Sequence, residues 1–283
     1  MPDKGAVVIT GASTGIGAAC AVGLAKRGYR VFAGVRKVGD GDKLVKEGGA
    51  GLSPLILDVT DQGTIDSARA EVERSLAGTP FRCLFNNAGV SINGPLEFIA
   101  IDDLRRQLEI NVVGQLAVTQ AFLPLLRASK GRIITTGSVG GFVTTPILGP
   151  YCMSKYAMEA FSDALRIELT PQGIEVVLLE PAAVRTEIWD KGTEGAQQFA
   201  NNPPEGFMER YGSFLKGVTK FASEGKRRAA DPQCVLDAVI HALESPKPRT
   251  RYLMGDGVGQ RRFLRMLPDR MRDKLMLKAL GVK

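Results

Sequence analysis

Seven short runs of β-branched and aliphatic residues recur along this 283-residue chain, most of them separated by a longer stretch with helical periodicity. The runs are 6–10 (AVVIT), 30–35 (RVFAGV), 54–58 (PLILD), 81–86 (FRCLFN), 131–136 (GRIITT), 174–179 (IEVVLL) and 250–254 (TRYLM). They are almost unbroken in apolar character, not alternating. Strands buried on both faces read this way, and such strands belong to parallel sheets covered on each side by helices. The helical stretches lie at 15–28, 61–77, 101–127, 151–170 and 231–244, with a weaker one at 40–47. Punctuation agrees with this division: Gly28 closes the first helix, and Asp61 stands where a cap would open the third. Right-handed crossovers between consecutive strands then imply an α/β fold, a doubly wound parallel sheet of about seven strands with helices on both faces.

Length and composition narrow the remaining choices. A chain of 283 residues that is 44% apolar buries a full core, and one domain over 1–283 fits better than two small ones. An insertion at about 187–225, interrupted by Pro203, Pro204 and Gly206, precedes the last βα unit. Four cysteines (Cys20, Cys83, Cys152, Cys234) form no C-x-x-C pair and are too few for a disulfide framework, so a cytoplasmic setting is expected. The one histidine, His241, leaves almost nothing for a histidine-based metal site, and no metal is expected. Residues 6–10 are too short for a signal segment, and no uninterrupted apolar run approaches the length of a membrane span. The net charge of +7 is concentrated: residues 258–283 carry +6, leaving +1 for the rest. A body that grips nucleic acid is therefore not expected.

The first strand runs directly into Thr10-Gly11-Ala12-Ser13-Thr14-Gly15-Ile16-Gly17 and then a helix. Strand, glycine turn and helix in that order bring backbone N–H groups and a helix N-terminus to a pyrophosphate, the arrangement of a Rossmann fold. The spacing is G-x-x-x-G-x-G and not the commoner G-x-G-x-x-G, so a tight turn without a ligand is the plainer alternative. The second strand ends Val35-Arg36-Lys37, with no carboxylate to bond a ribose 2′-OH and repel a 2′-phosphate. Arg36 favours NADP(H), with NAD(H) the second choice; a solvated charged loop is the competing reading.

Tyr151 and Lys155 stand four apart at the head of a helix and share a face. An ammonium beside a phenol stabilises phenolate, so Lys155 is expected to lower the Tyr151 pKa and make it a general acid or base, although many surface helices carry this spacing idly. Ser138 ends the strand 131–136 at the edge where α/β proteins bind ligands; it suits either a carbonyl contact or a turn. Asn87, Ala88 and Gly89 follow strand 81–86 at the same edge. Asn111 and Gly114 are poor residues for the middle of helix 101–127. They indicate either a locally distorted helix with a freed carbonyl or a merely tolerated polar residue.

Together these segments resemble the short-chain dehydrogenase/reductase family in its single-domain branch: TGASTGIG at 10–17, Asp58-Val59, NNAG at 86–89, Asn111, Ser138, YCMSK at 151–155, and Pro181 through Thr186. The resemblance covers about 5–186 in order and spacing. It implies an oxidoreductase moving a hydride between a nicotinamide cofactor and an alcohol or ketone. It implies that Tyr151 exchanges the proton with the substrate oxygen, that Ser138 orients the carbonyl, and that Lys155 tunes Tyr151 and bonds the nicotinamide ribose. Asn111 would hold a water in a relay to Lys155. Gly11, Ser13, Thr14, Gly15 and Ile16 would carry the phosphates, Asp58 and Val59 the adenine, and Asn87 to Gly89 the adenosine side. Thr186 and the backbone of Val184 would hold the carboxamide, with Pro181 also at the cofactor. Pro181-Ala182 departs from the family's Pro-Gly. A homodimer or homotetramer is also implied.

The pieces AGVRK and EPAAVRTE look similar to hydroxysteroid- and retinol-type members. Aromatics between 187 and 225 (Trp189, Phe199, Phe207, Tyr211, Phe214, Phe221), with Phe142 and Val143, suit an apolar small-molecule substrate, or simply pack on the body. The basic tail, split by Pro268, lies on a membrane, on the body or on another subunit; membrane contact is the least favoured of these. A dinucleotide-binding sensor or scaffold without turnover is the reading from a different class.

Overall fold

The computed structural model describes residues 4–186 and 201–282. Its seven parallel strands are β1 (Ala6–Ile9), β2 (Arg30–Val35), β3 (Leu52–Ile56), β4 (Phe81–Asn86), β5 (Arg132–Thr136), β6 (Glu175–Pro181) and β7 (Arg251–Met254), in the order β3-β2-β1-β4-β5-β6-β7. The helices are α1 (Gly15–Lys26), α2 (Val38–Gly48), α3 (Gln62–Leu76), α4 (Ile101–Leu108), α5 (Gly114–Ser129), α6 (Gly149–Leu169), α7 (Phe207–Arg228), α8 (Gln233–Glu244), α9 (Val258–Met266) and α10 (Asp269–Leu280). The order reverses between β1 and β4. The crevice that such a reversal opens lies beyond the carboxyl ends of the strands.

Each central strand buries both faces. Val7 and Ile9 of β1 face the layer of α1 and α8, where Cys20, Leu24, Val235 and Val239 lie. Ala6 and Val8 face the opposite layer, with Val72, Phe122 and Leu165 of α3, α5 and α6. Alternate side chains of one apolar run thus enter two cores, which is why the run shows no polar alternation. Helix α3 opens as its cap predicts: Asp61 accepts from the N–H groups of Gly63 (2.8 Å) and Thr64 (3.3 Å).

Two boundaries differ from the sequence expectation. The third strand spans Leu52–Ile56, not 54–58, so Pro54 sits inside it. This strand is the sheet edge, where a residue without an N–H removes no ladder bond on the open side. The stretch 101–127 is also not one regular helix: a π-helical turn, Glu109–Val113, separates α4 from α5. The distorted-helix reading of Asn111 and Gly114 holds. By length and mean hydropathy the run Ile101–Ser129 could cross a membrane. Instead it lies on the sheet and buries Val118, Phe122 and Leu126 there.

Helices α7, α9 and α10 form the cover beyond the sheet. Phe207, Tyr211 and Phe214 pack on one another, and Phe98 packs on the first two at 5.4 and 5.8 Å between ring centres. These aromatics therefore pack on the body. Trp189 and Phe199 lie outside the described residues. Pro268 splits the tail as expected. Its end is pinned where Leu280 buries against Val218 and Ile147, while Phe263, Met266, Met271 and Leu275 stay exposed.

Candidate active site

The carboxyl ends of β1 and β4 are tied by one buried threonine. Thr10 Oγ1 accepts from the backbone N–H groups of Asn87 and Ala88, both at 2.9 Å. Asn87 answers by donating its amide to the carbonyl oxygens of Thr10 and Gly11, both at 3.1 Å. Gly17 faces this knot, and a Cβ there would come within 2.6 Å of Asn87 Nδ2. Gly15, the first residue of α1, has a φ of +58° and lies against Thr186. Only glycine adopts that conformation without strain. The turn thus brings the N-terminus of α1 to the crevice, a cradle that fits a pyrophosphate.

Around this turn the structure gathers most of the sequence-predicted residues. Ser13, Gly15 and Ile16 are half-buried and Thr14 is exposed. Val184 is buried and bridges to Ala230. Pro181 closes β6 and is buried. Arg36 follows β2 directly and is exposed. Asp58 accepts at Oδ1 from the N–H and hydroxyl of Thr60 (2.9 and 2.8 Å), and Val59 is buried beside Gly114. Gly89 approaches Asn111 Oδ1.

The second group stands at the ends of β4 and β5 and the head of α6. Tyr151, in the first turn of α6, is half-buried and stands beside Ser138: a Cβ at Gly140 would lie 3.4 Å from its ring and 3.5 Å from Ser138 Oγ. Ser138 also caps the short turn after β5 by accepting from the Gly140 N–H at 3.0 Å, so it has both of its expected roles open to it. Lys155 is only 5% exposed; its Nζ donates to the Thr136 carbonyl at 2.7 Å and lies 5.7 Å from the centre of the Tyr151 ring. Asn111, inside the π turn, accepts from the Val90 N–H (2.8 Å), donates to the Val90 carbonyl (2.9 Å) and to Ser154 Oγ (2.9 Å). A π turn widens the helix by one residue, which here leaves the Asn111 side chain free to tie the loop after β4 to α6.

The electrostatics correct one expectation. Burial pushes the Tyr151 phenol up to about 12, and the neighbouring Ser138 hydroxyl only partly offsets it. Burial pulls Lys155 down to about 8. The Lys155 ammonium is aimed at a carbonyl and not at the phenol oxygen, so desolvation outweighs its field. At neutral pH Tyr151 is a phenol holding its proton, ready to give it.

Sequence reasoning assigned no part to Thr10, Gln115, Thr136 or Ser154. Gln115 donates to the Ala88 carbonyl at 2.6 Å, and Ser154 donates to the Tyr151 carbonyl at 2.7 Å. The signal for them was a polar side chain inside an otherwise apolar run. Among the described residues no cluster of His, Cys, Asp and Glu has the makings of a metal site.

Comparison with known proteins gives the same picture. The short chain dehydrogenase family model matches residues 5–197. An NADPH-dependent 3-dehydrocapnine reductase from Ornithobacterium rhinotracheale is 35% identical over 279 residues, 96% of each chain. A short-chain dehydrogenase structure from Streptomyces avermitilis superposes with a TM-score of 0.77 at 26% identity, covering 98% of this chain and 97% of that one. Another, from Burkholderia cenocepacia in complex with NADP, gives 0.72 at 25% identity, covering 97% and 98%. The chain is a member of the short-chain dehydrogenase/reductase family and thus an oxidoreductase of alcohol and carbonyl groups that uses a nicotinamide dinucleotide.

Proposed function

We propose that this enzyme reduces an apolar ketone, or oxidises the matching alcohol, with NADP(H), and that Tyr151 is its general acid and base. The observation that carries this reading is the half-buried phenol of Tyr151, set beside Ser138 with the Lys155 ammonium 5.7 Å from its ring centre, at the strand edge that also carries the glycine turn.

The residues present fit the dinucleotide. The N–H groups of the Gly11–Gly17 turn would hold the pyrophosphate, Asp58 and Asn87 to Gly89 would hold the adenosine, and Pro181 to Thr186 would hold the nicotinamide end. The chemistry supplied by that cofactor is hydride exchange at nicotinamide C4. In reduction Tyr151 Oη gives its proton to the carbonyl oxygen as negative charge develops there, and Ser138 Oγ donates to the same oxygen and fixes its position. Lys155 stabilises the resulting phenolate and returns a proton to it. Asn111 keeps the loop after β4 and helix α6 in register while this happens. In oxidation the same groups act in reverse.

Arg36, exposed with no carboxylate beside it at the end of β2, supports NADP(H) over NAD(H). The NADPH-dependent relative and the NADP-bound neighbour support the same choice. Exposed apolar residues on α5 and α6 (Leu116, Met153, Tyr156, Ile167) support a homodimer or homotetramer through the long helices, to be checked by light scattering. Consumption of NADPH and NADH should be followed over a panel of steroid, retinoid and acyl ketones. The expected result is turnover on the apolar members with NADPH preferred, and a preference that shrinks at least tenfold in Arg36→Ala. Equal use of NADH in both proteins would remove the NADP(H) assignment. Tight NADPH binding with no carbonyl turned over would favour the sensor or scaffold instead.

A further inference from the structure

Among the described residues, three that are not glycine adopt a positive φ: Ala77, Lys130 and Ile147. Ala77 and Lys130 are exposed and cap the ends of α3 and α5, a common place for that conformation. Ile147, with a φ of +70°, lies before α6 and is only 5% exposed. A β-branched side chain crowds its own backbone in the left-handed region, and it stays there only when its surroundings enforce it. The local turn explains the conformation but not the residue. The Leu148 N–H donates to the Thr145 carbonyl at 3.1 Å, with Pro146 and Ile147 between them. Proline in second place and a positive φ in third mark a type II turn, which glycine or asparagine normally completes. Glycine would make this turn without strain.

What glycine would lack is the side chain. That side chain is buried with Val218 of α7 and Leu280 of α10, and Phe214 and Met276 pack around the three. Gly217 of α7 lets α10 come so close, since a Cβ there would collide with the Leu280 carbonyl oxygen. The backbone of Ile147 works on the other side. Its carbonyl accepts from the Gly94 N–H at 2.8 Å, in the loop after β4. The next residue, Leu148, is the N-cap of α6, whose first turn carries Tyr151. Ile147 thus sits in the segment that runs from Ser138 to Tyr151, gripped by the helical cover through its side chain and by the loop after β4 through its carbonyl.

We propose that Ile147 is a positioning residue for the proton transfer, and that α7 and α10 act through it: by holding its side chain they keep the turn at 145–148 left-handed, and that turn fixes the heading of α6 and so the place of the Tyr151 phenol. The proposal rests on the reading of Tyr151 as general acid and base. Burial of the isoleucine side chain offsets the strain of its backbone. Without the contact from α10 the strain loses its compensation, Ile147 relaxes toward negative φ, the Gly94 bond opens and Tyr151 shifts. With glycine at 147 no strain needs holding, so the contact ceases to matter to the turn. Alanine is the discriminating case, because it loses the contact and keeps a Cβ at positive φ. A residue that only filled space would rank glycine at or below alanine. A residue held in a strained turn ranks glycine above it.

The test compares Leu280→Ala, Ile147→Ala, Ile147→Gly and the double variant Ile147→Gly/Leu280→Ala in the full chain. It reads hydrogen exchange at the Gly94 amide, kcat for the ketone that the wild type reduces fastest, and NADPH affinity by fluorescence titration. Leu280→Ala should speed Gly94 exchange and lower kcat about tenfold, and Ile147→Ala should lower it further, by about 10²-fold. Ile147→Gly should lose at least about fivefold less than Ile147→Ala, and adding Leu280→Ala to it should cost no more than about twofold. NADPH affinity and the protection of the β1 amides should hold throughout, which separates lost placement from lost fold. Glycine at or below alanine in kcat and in Gly94 protection, or a Leu280→Ala loss that persists undiminished in the glycine protein, would overturn the proposal. Exchange needs no substrate, so the two readings fail separately. Gly94 protection in the predicted order with no ketone turned over by any of the proteins would sink the assignment of Tyr151. Turnover by the wild type with Gly94 protection unmoved by Leu280→Ala would sink this one.

Discussion

The catalytic edge and the β7 edge both bury charge against α6, and they treat it in opposite ways. At the β7 edge Arg251 bonds two carboxylates and approaches a third, Glu180, at 3.7 Å. At the catalytic edge Lys155 is buried more deeply, bonded to one carbonyl and, among the described residues, to no carboxylate. The first arrangement joins β6, β7 and α6. The second costs stability, since desolvation alone moves the Lys155 pKa by a large amount. Strain of this kind gathers where chemistry is done. What separates the two edges is whether the charge has been given its counterpart by the chain or waits for one from outside.

The strongest way to break this contrast is Lys155→Met. Turnover should fall by about 10²–10⁴, the worth of a group tuning a general acid. Stability at pH 7 should nevertheless rise, by roughly 2 kcal/mol, because an apolar chain of similar length replaces a desolvated ammonium. The sign follows from the direction of the shift. A lysine whose pKa falls from 10.5 to about 8 on folding penalises the native state fully below pH 8, and the penalty fades between pH 8 and 10.5 as the unfolded lysine also loses its proton. Urea unfolding at pH 7 and pH 10 should show the variant's advantage shrinking. A variant less stable than wild type at pH 7 would place Lys155 among the stabilising contacts and erase the contrast.

Arg251→Met is the counterpart. It strands Glu159, Asp163 and Glu180 near one another without their common cation, and should lose about 2–3 kcal/mol, somewhat less than for a fully buried pair because the guanidinium is partly solvated. Turnover per folded molecule should change little. The loss should lessen as pH falls toward about 7, because without Arg251 the Glu180 pKa rises further and the variant takes up its proton, easing the repulsion, before the wild type does. A flat dependence from pH 8 to 6 would show that the three carboxylates are not acting on one another.

Asn111→Ala sharpens the contrast from the catalytic side with a smaller expected effect. It removes three hydrogen bonds, two from Asn111 to the loop after β4 and one to α6, for about 1–2 kcal/mol of stability. Because Asn111 positions Val90 and Ser154, kcat should drop by at least tenfold while NADPH affinity holds. Loss of NADPH affinity with kcat unchanged would move Asn111 from a positioning role to a binding one.

Much of this was legible in the chain. Runs such as AVVIT and IEVVLL state a doubly covered parallel strand without ambiguity, and the glycines at 11, 15 and 17 state a turn that a Cβ would block. Asn111 and Gly114, poor mid-helix residues, mark the break that the π turn forms. Other features were not legible, for identifiable reasons. Pro54 looks like the start of a strand, but its place within one depends on β3 lying at the sheet edge. The rise of the Tyr151 pKa is invisible in the sequence because spacing reports the neighbour and not the depth of burial. The ring of Glu159, Asp163, Glu180 and Arg251 joins residues up to 92 apart, and only the fold brings them together.

The most direct test of the central claim is Tyr151→Phe, measured for NADPH affinity by fluorescence titration and for carbonyl reduction in a single turnover. The phenol is the proposed source of the proton, and its ring and backbone make no other contribution that phenylalanine fails to supply. The account predicts unchanged NADPH affinity, an intact fold and a rate at least about 10²-fold lower at every pH from 6 to 9. Wild-type turnover from the phenylalanine protein would contradict it, since the proton would then be coming from some other group.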